Sequence, residues 1–272
     1  MISLDWQERL KMDTQDFVKR KLPKGKYDID IVYNAYPQRI DGNIPNAVIT
    51  LVGKTLGAKL YKTADQYFDF YDYILKKKGE HGGMIFAYIM ARAIKKQPVL
   101  FLNYIEDFFF KTHDQKTCNL VMDKAIYPLL KKDTLEHIDL IINWIKKDNK
   151  LLEESVIKLL NKLIGQDAKL IKPIFKKLEN SWLYATPNII KLNSKFLKAV
   201  YKKDKKFYLS VYQNYHLTRN PIFAEILCEA ICCYDKNIQE ICDTWARSGN
   251  IKVKKIGLHG QKLLKGKKSK KK

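Results

Sequence analysis

A chain of 272 residues, 46% of them hydrophobic, can bury a sizeable core and is too apolar to be disordered. Twelve glycines and eight prolines are few for an all-β chain, and the apolar run from Met84 to Ala91 falls far short of the roughly 18 residues a membrane span needs. Lys and Arg number 51 against 29 acids, a net charge of +22, which implies a polyanionic partner; DNA, RNA and an anionic membrane surface all qualify, nucleic acid ahead of the membrane.

In chain order, the opening nine residues carry acids where a secretory signal would carry a basic patch and an apolar stretch. The expectation is an intracellular, cytoplasmic protein that is not inserted in a membrane; a nucleoid or nuclear placement is compatible with it. Residues Tyr27 to Tyr33 alternate like a strand, too isolated to build a sheet, and read equally as a linker. Helical spacing then takes over. Val48, Leu51, Val52 and Leu56 share a face, as do Phe68, Tyr71 and Leu75, then Ile85, Tyr88, Ile89 and Ala93. The same pattern returns at Leu140, Ile141 and Trp144, and at Val156, Leu159, Leu160 and Leu163.

Gly79, Pro98, Pro128, Gly165, Pro173, Pro187, Pro221 and Gly249 separate these runs. Lysine doublets close many of them, where cations complement the helix dipole. The pattern predicts roughly a dozen helices, pairing from about residue 80 into units of ~30–40 residues. The pairs are 84–96 with 98–111, 117–131 with 134–147, and 150–164 with 167–179. The expected fold is all-α, a HEAT-like helical-repeat solenoid (an α-α superhelix) over residues 1–255, its first 40 residues the least regular. Residues 256–272 are expected to form a disordered tail, because seven of the last eleven residues are lysine and like charges cannot pack. Without those seven the body still carries +15.

Five cysteines are an odd number with no disulfide framework. Cys228, Cys232 and Cys233 stand at i, i+4 and i+5 in an apolar stretch without a nearby His, so they read as a buried helix face. The histidines at 81, 113, 137, 216 and 259 are scattered and read as surface or capping residues. Phosphate-loop, dinucleotide, zinc-protease and nucleophile-elbow signatures are missing, and neither metal nor cofactor is expected.

One region resembles a family. Thr-Cys-Asn-Leu-Val-Met-Asp ends at Asp123, and Ile-Asn-Trp-Ile-Lys-Lys-Asp-Asn occupies 142–149. Gly-Asn-Ile-Pro-Asn at 42–46 and Gly-Met-Ile-Phe-Ala-Tyr-Ile-Met-Ala at 83–91 precede them. Across about residues 40–230 this is similar to the DNA alkylation repair glycosylases of the AlkD type, which are curved HEAT-like solenoids. The resemblance implies that Asp123 stands at the essential carboxylate, which stabilises positive charge on the sugar as an alkylated purine leaves, without metal or cofactor. The other site positions depart from the family: Asn119 replaces an aromatic wall, Lys195 stands near the second, and Glu154 replaces a DNA-gripping arginine. One match in four argues against a working enzyme.

The resulting expectation is a monomeric binder of nucleic acid, DNA ahead of RNA, held through its phosphates. The contacts are assigned to Lys146, Lys147, Lys150, Lys191, Lys195, Lys198, Lys202, Arg219, Lys267 and Lys268. Trp182, Tyr184, Tyr201, Phe207, Tyr208, Tyr212 and Tyr215 are weighed as stacking platforms, against the plainer reading that they form core. The rival is a scaffold whose lysines dock an acidic protein.

Overall fold

The computed structural model describes residues 5–36, 44–111, 114–146 and 149–269; the Gly42-Asn43 part of the resemblance lies outside them. Within these residues every regular element is helical, with fourteen α-helices and no strand. None of the helices is long and apolar enough to cross a membrane. The chain forms two compact units, residues 1–134 and 135–272.

The first unit holds α1 (Trp6–Arg20), α2 (Asn46–Leu60), α3 (Phe68–Lys77), α4 (Gly79–Ala93), α5 (Pro98–Lys111) and α6 (Gln115–Val121). Tyr27 to Tyr33 is not a strand: Ile29–Ala35 is a 3₁₀ helix, its start capped by the Asp28 carboxylate. Ile29, Val32 and Tyr33 are buried while Ile31 is exposed, a spacing of three and four that outweighs the apparent alternation. α4 is the centre of the unit and packs most closely on α2, with α3 and α6 also against it. Helix α2 comes close because Gly53 and Gly57 lie under α4. A Cβ at Gly57 would stand 2.7 Å from the Tyr88 carbonyl oxygen, and one at Gly53 3.1 Å from the Tyr88 Cβ. The expected pairing of 84–96 with 98–111 is therefore weaker than the packing of α4 on α2.

A π turn, Met122–Ile126, joins α6 to α7 (Tyr127–Asn143). The Tyr127 N–H bonds the Met122 carbonyl, five residues back. Pro128 follows, lacks an N–H and crowds the carbonyl four residues earlier, which favours the wider turn. The break expected between 131 and 134 appears at Asp133, where φ −129° and ψ 56° leave helical geometry.

The second unit continues with α8 (Lys150–Gln166), α9 (Ile171–Glu179), α10 (Pro187–Tyr201), α11 (Lys205–Asn214), α12 (Pro221–Glu229), α13 (Lys236–Ala246) and α14 (Ile251–Ser269). α8, α10, α12 and α14 lie each against the next. Trp182 is fully buried and donates to Asn193 Oδ1 at 2.8 Å. Tyr208 and Tyr212 are buried too, and their hydroxyls reach the carbonyls of Ala230 at 3.0 Å and Leu227 at 2.8 Å, satisfying carbonyls near the end of α12. These three rings are core, not stacking platforms; of the seven, Tyr184 is the openly exposed one, at 87%.

The segment expected as a disordered tail is helical as far as Ser269. Its lysine count concealed an apolar stripe: Val253, Gly257, Gly260 and Leu264 are buried at helical spacing against α12 and α13. Gly257 and Gly260 let α14 touch α13, since added Cβ atoms would lie 2.3 Å from the Ala246 nitrogen and 2.6 Å from Cys242 Sγ. Cys228 and Cys242 meet at this junction as buried thiols, each pushed up to about 12 by desolvation, which makes them packing groups and not nucleophiles. Cys232 and Cys233 are instead partly exposed, so the buried-face reading holds for Cys228 alone of the three. Among the described residues no His, Cys, Asp or Glu cluster is arranged to hold a metal ion.

Gly257→Ala is expected to lower stability by about 1–3 kcal/mol, because the new methyl meets backbone that cannot swing away. Gly266→Ala, in open space on the same helix, should raise it by up to ~1 kcal/mol. Thermal or urea unfolding of the two variants checks both signs; equal effects would mean that α14 does not dock.

Candidate nucleic-acid interface

The charge excess is unevenly shared. Residues 1–134 hold 22 bases and 16 acids, a net of +6, and residues 135–272 hold 29 and 13, a net of +16. In the second unit α10 presents Lys191, Lys195 and Lys198, and Lys202 caps its end, at spacings of four, three and four that make one stripe. Three of them share a site: Lys195, Lys198 and Lys202, with Lys203 and Asn161, line a depression of about 380 Å³ between α8 and α10. The Lys203 ammonium donates to the Gly165 carbonyl at 3.2 Å, the negative end of α8. Lys191 is diverted. It pairs with Glu153, a carboxylate on α8 whose side chain is only 5% exposed.

Arg219 stands apart from the stripe. It lines a larger depression, about 690 Å³, with His216, Thr218, Trp245, Ser248 and Asn250. The Trp245 indole N–H is spent on the His216 carbonyl at 3.1 Å. Lys267 and Lys268 belong to the last turn of α14, where they complement its dipole, and the Lys268 ammonium lies 5.3 Å from the centre of the Tyr234 ring. α14 carries Lys252, Lys254, Lys255, Lys262, Lys265, Lys267 and Lys268 and no acid. Lys252, Lys254 and Lys255 sit at its positive end, against the dipole. No ion pair relieves these seven among the described residues. Lys147 lies outside the described residues, as do the side chains of Lys146 and Lys150.

Asp123 is exposed on the π turn of the first unit; Met122, Ala125 and Ile126 point inward and leave Asp123 and Lys124 on the surface. Asn119, one turn earlier, accepts a hydrogen bond from the Gln115 side chain at 3.2 Å and offers an amide where a base-holding wall would be flat and apolar. Glu154 is half-buried on α8, within the second unit, where Lys195 also lies. Sequence reasoning missed a cluster on α2, α4 and the π turn, comprising Lys54, Tyr88, Arg92 and Lys124. The signal available for it was Gly53 and Gly57, four residues apart in α2.

Because Glu153 is buried and Lys191 is its ion partner, Lys191→Met should destabilise by about 1–3 kcal/mol, the cost of a buried charge left unpaired. Lys195→Met, on the same face, should change stability by less than about 0.5 kcal/mol. Urea midpoints compare the two; similar midpoints would place Lys191 with the open stripe.

No family model, curated protein or solved structure matches this chain.

Proposed function

We propose that this protein is a HEAT-like helical-repeat binder of nucleic acid, DNA ahead of RNA, which holds phosphates and excises no base. The observation that carries the reading is the convergence of Lys195, Lys198, Lys202 and Lys203 on one depression; the same unit also holds α14, with seven lysines and no acid. Clustered ammonium groups facing water are unfavourable alone and favourable once phosphates release their counterions.

The repeat reading is supported by caps as well as by stacking of alternate helices. Asp204 and Asp235 accept N–H bonds at the starts of α11 and α13. Asn220 and Asn250 do so for α12 and α14, and each has its own N–H held by a hydroxyl two residues earlier, Thr218 and Ser248, at 3.2 Å. Two consecutive helix pairs thus open with the same chemistry at a spacing of about 30 residues, as a solenoid would repeat it.

The exposure of Asp123 supports a lack of base excision. An exposed carboxylate has little electrostatic value for an oxocarbenium-like sugar, because the dielectric around it is high. A protein-docking role has one observation in its favour, the exposed pair Leu183 and Tyr184.

Anisotropy titration with a 20-base-pair duplex tests the binding. If ~6–10 phosphates are contacted, affinity should fall about 10³–10⁵-fold between 50 and 200 mM salt. The triple variant Lys195→Gln, Lys198→Gln, Lys202→Gln should reduce the slope of log affinity against log salt by about 2–3. A slope unchanged by the variant, or displacement of duplex by an acidic peptide at equal charge concentration, would favour the scaffold. Single-turnover assays on alkylated duplex should release little 7-methylguanine or 3-methyladenine with either wild type or Asp123→Asn. Robust release by wild type alone would make the protein a glycosylase.

A further inference from the structure

The first unit carries a second basic surface, different in kind from the lysine stripe of α10. Two tyrosine rings there are each attended by two ammonium groups. Lys54 Nζ lies 5.7 Å and Lys124 Nζ 5.9 Å from the centre of the Tyr88 ring. Lys62 Nζ and Lys96 Nζ are each 5.8 Å from the centre of the Tyr61 ring. Tyr61 and Lys62 immediately follow α2, Lys96 follows α4, and Lys54 and Tyr88 lie within those helices. Arg92 is one turn along α4 from Tyr88, and its Cγ would be 3.3 Å from a Cβ at Gly57. Gly53 makes the matching room for Tyr88. The two glycines therefore form a trough that seats Tyr88 and Arg92, while the π turn supplies Lys124 to the Tyr88 ring.

Lys54, Lys62, Arg92, Lys96 and Lys124 have no acidic ion partner among the described residues. Four ammonium groups held beside two half-buried rings, with Arg92 one turn from Tyr88 and no acidic ion partner among the described residues, are arranged for an anion that also has flat apolar parts. A single nucleic-acid strand meets that description, because its phosphates and bases alternate along the chain. Free phosphate would use the cations and leave the rings idle. In a duplex the bases are paired and stacked, so rings set among cations would gain nothing from them.

We propose that Tyr61 and Tyr88, with Lys54, Lys62, Arg92, Lys96 and Lys124, form a binding site for an unpaired nucleic-acid strand. The proposal rests on the nucleic-acid reading above and adds a strand preference to it. In the free protein the ammonium groups rest on the ring faces. When a strand enters, each ammonium swings to a phosphate and a base takes its place on the ring. No bond is made or broken.

The experiment uses the full chain, a 12-nucleotide single strand bearing 2-aminopurine and the same sequence as a duplex. Tyr88→Ala should weaken single-strand binding about 5–150-fold, with loss of the 2-aminopurine quenching, and leave duplex binding within twofold. Tyr88→Phe, which keeps the ring, should bind like wild type. Lys54→Gln with Lys124→Gln should lower the single-strand salt slope by about 1–1.5. Far-UV circular dichroism and melting temperature establish that the variants fold; the phenylalanine and glutamine variants keep the question answerable if Tyr88→Ala does not. Single-strand binding and quenching that survive all three changes would overturn the site. Parallel losses on duplex would overturn the strand preference. Capture by phosphatidylserine vesicles, lost in the same variants without any oligonucleotide effect, would reassign the surface to membrane. Wild type that binds neither oligonucleotide would sink the nucleic-acid reading itself, whereas duplex binding with an inert Tyr88 would sink only this proposal.

Discussion

Fifty-one cations and 29 acids have to share one folded chain, and the surplus cannot be buried, so each helix must be tied down by an apolar face narrow enough to leave its lysines in water. α14 is the extreme case. It has seven lysines and no acid, and its first turn sets cations against its own dipole. What holds it is close approach. With Gly257 and Gly260 the backbone of α14 reaches the backbone of α13 and the Cys242 sulfur, so a thin stripe gains dispersion contacts that a bulkier residue would block. Gly53 and Gly57 do the same for α2 against α4 in the first unit. Small residues at helix contacts and long cations outside them are two sides of one arrangement.

The parts of the fold that could be read in the sequence are those set by local pattern. Val48, Val52 and Leu56 are buried as their spacing requires, and the break before Thr134 falls at Asp133. Misreadings arose where two local signals competed. Tyr27 to Tyr33 alternates in polarity, but Ile29, Val32 and Tyr33 also fit a helical face, and burial selected the helix. In α14 the charge density drew attention from Val253, Gly257, Gly260 and Leu264, of which two are glycines that no hydrophobic scale marks as buried.

The site was legible to the same degree. Lys195, Lys198 and Lys202 share a helix face, so their convergence needs nothing beyond α10. The diversion of Lys191 depends on Glu153 being carried inward by α8, a tertiary fact. Lys54, Tyr88 and Lys124 come from three elements, brought together by a glycine trough and a π turn, and no window of sequence contains them. Asp123 stood out because of its flanking motif, yet the residues that would exclude water from it are not those of the family it resembles.

The division of charge between the units fits the two different surfaces proposed above. The second unit holds a net charge of +16 within itself. A strongly basic unit can hold phosphates by number alone, with lysines free to move and no ring to orient them. The first unit has a net charge of only +6 and must obtain affinity from each contact it makes. Resting an ammonium on a tyrosine face keeps it near its target without an acid that a phosphate would have to displace. On the proposal made above, the ring then supplies a second attraction, to a base, once the ammonium has moved. Sparse charge paired with aromatic surface favours an unpaired strand, and dense charge without it favours any phosphate backbone, so the two proposals made above assign different strand states to the two units.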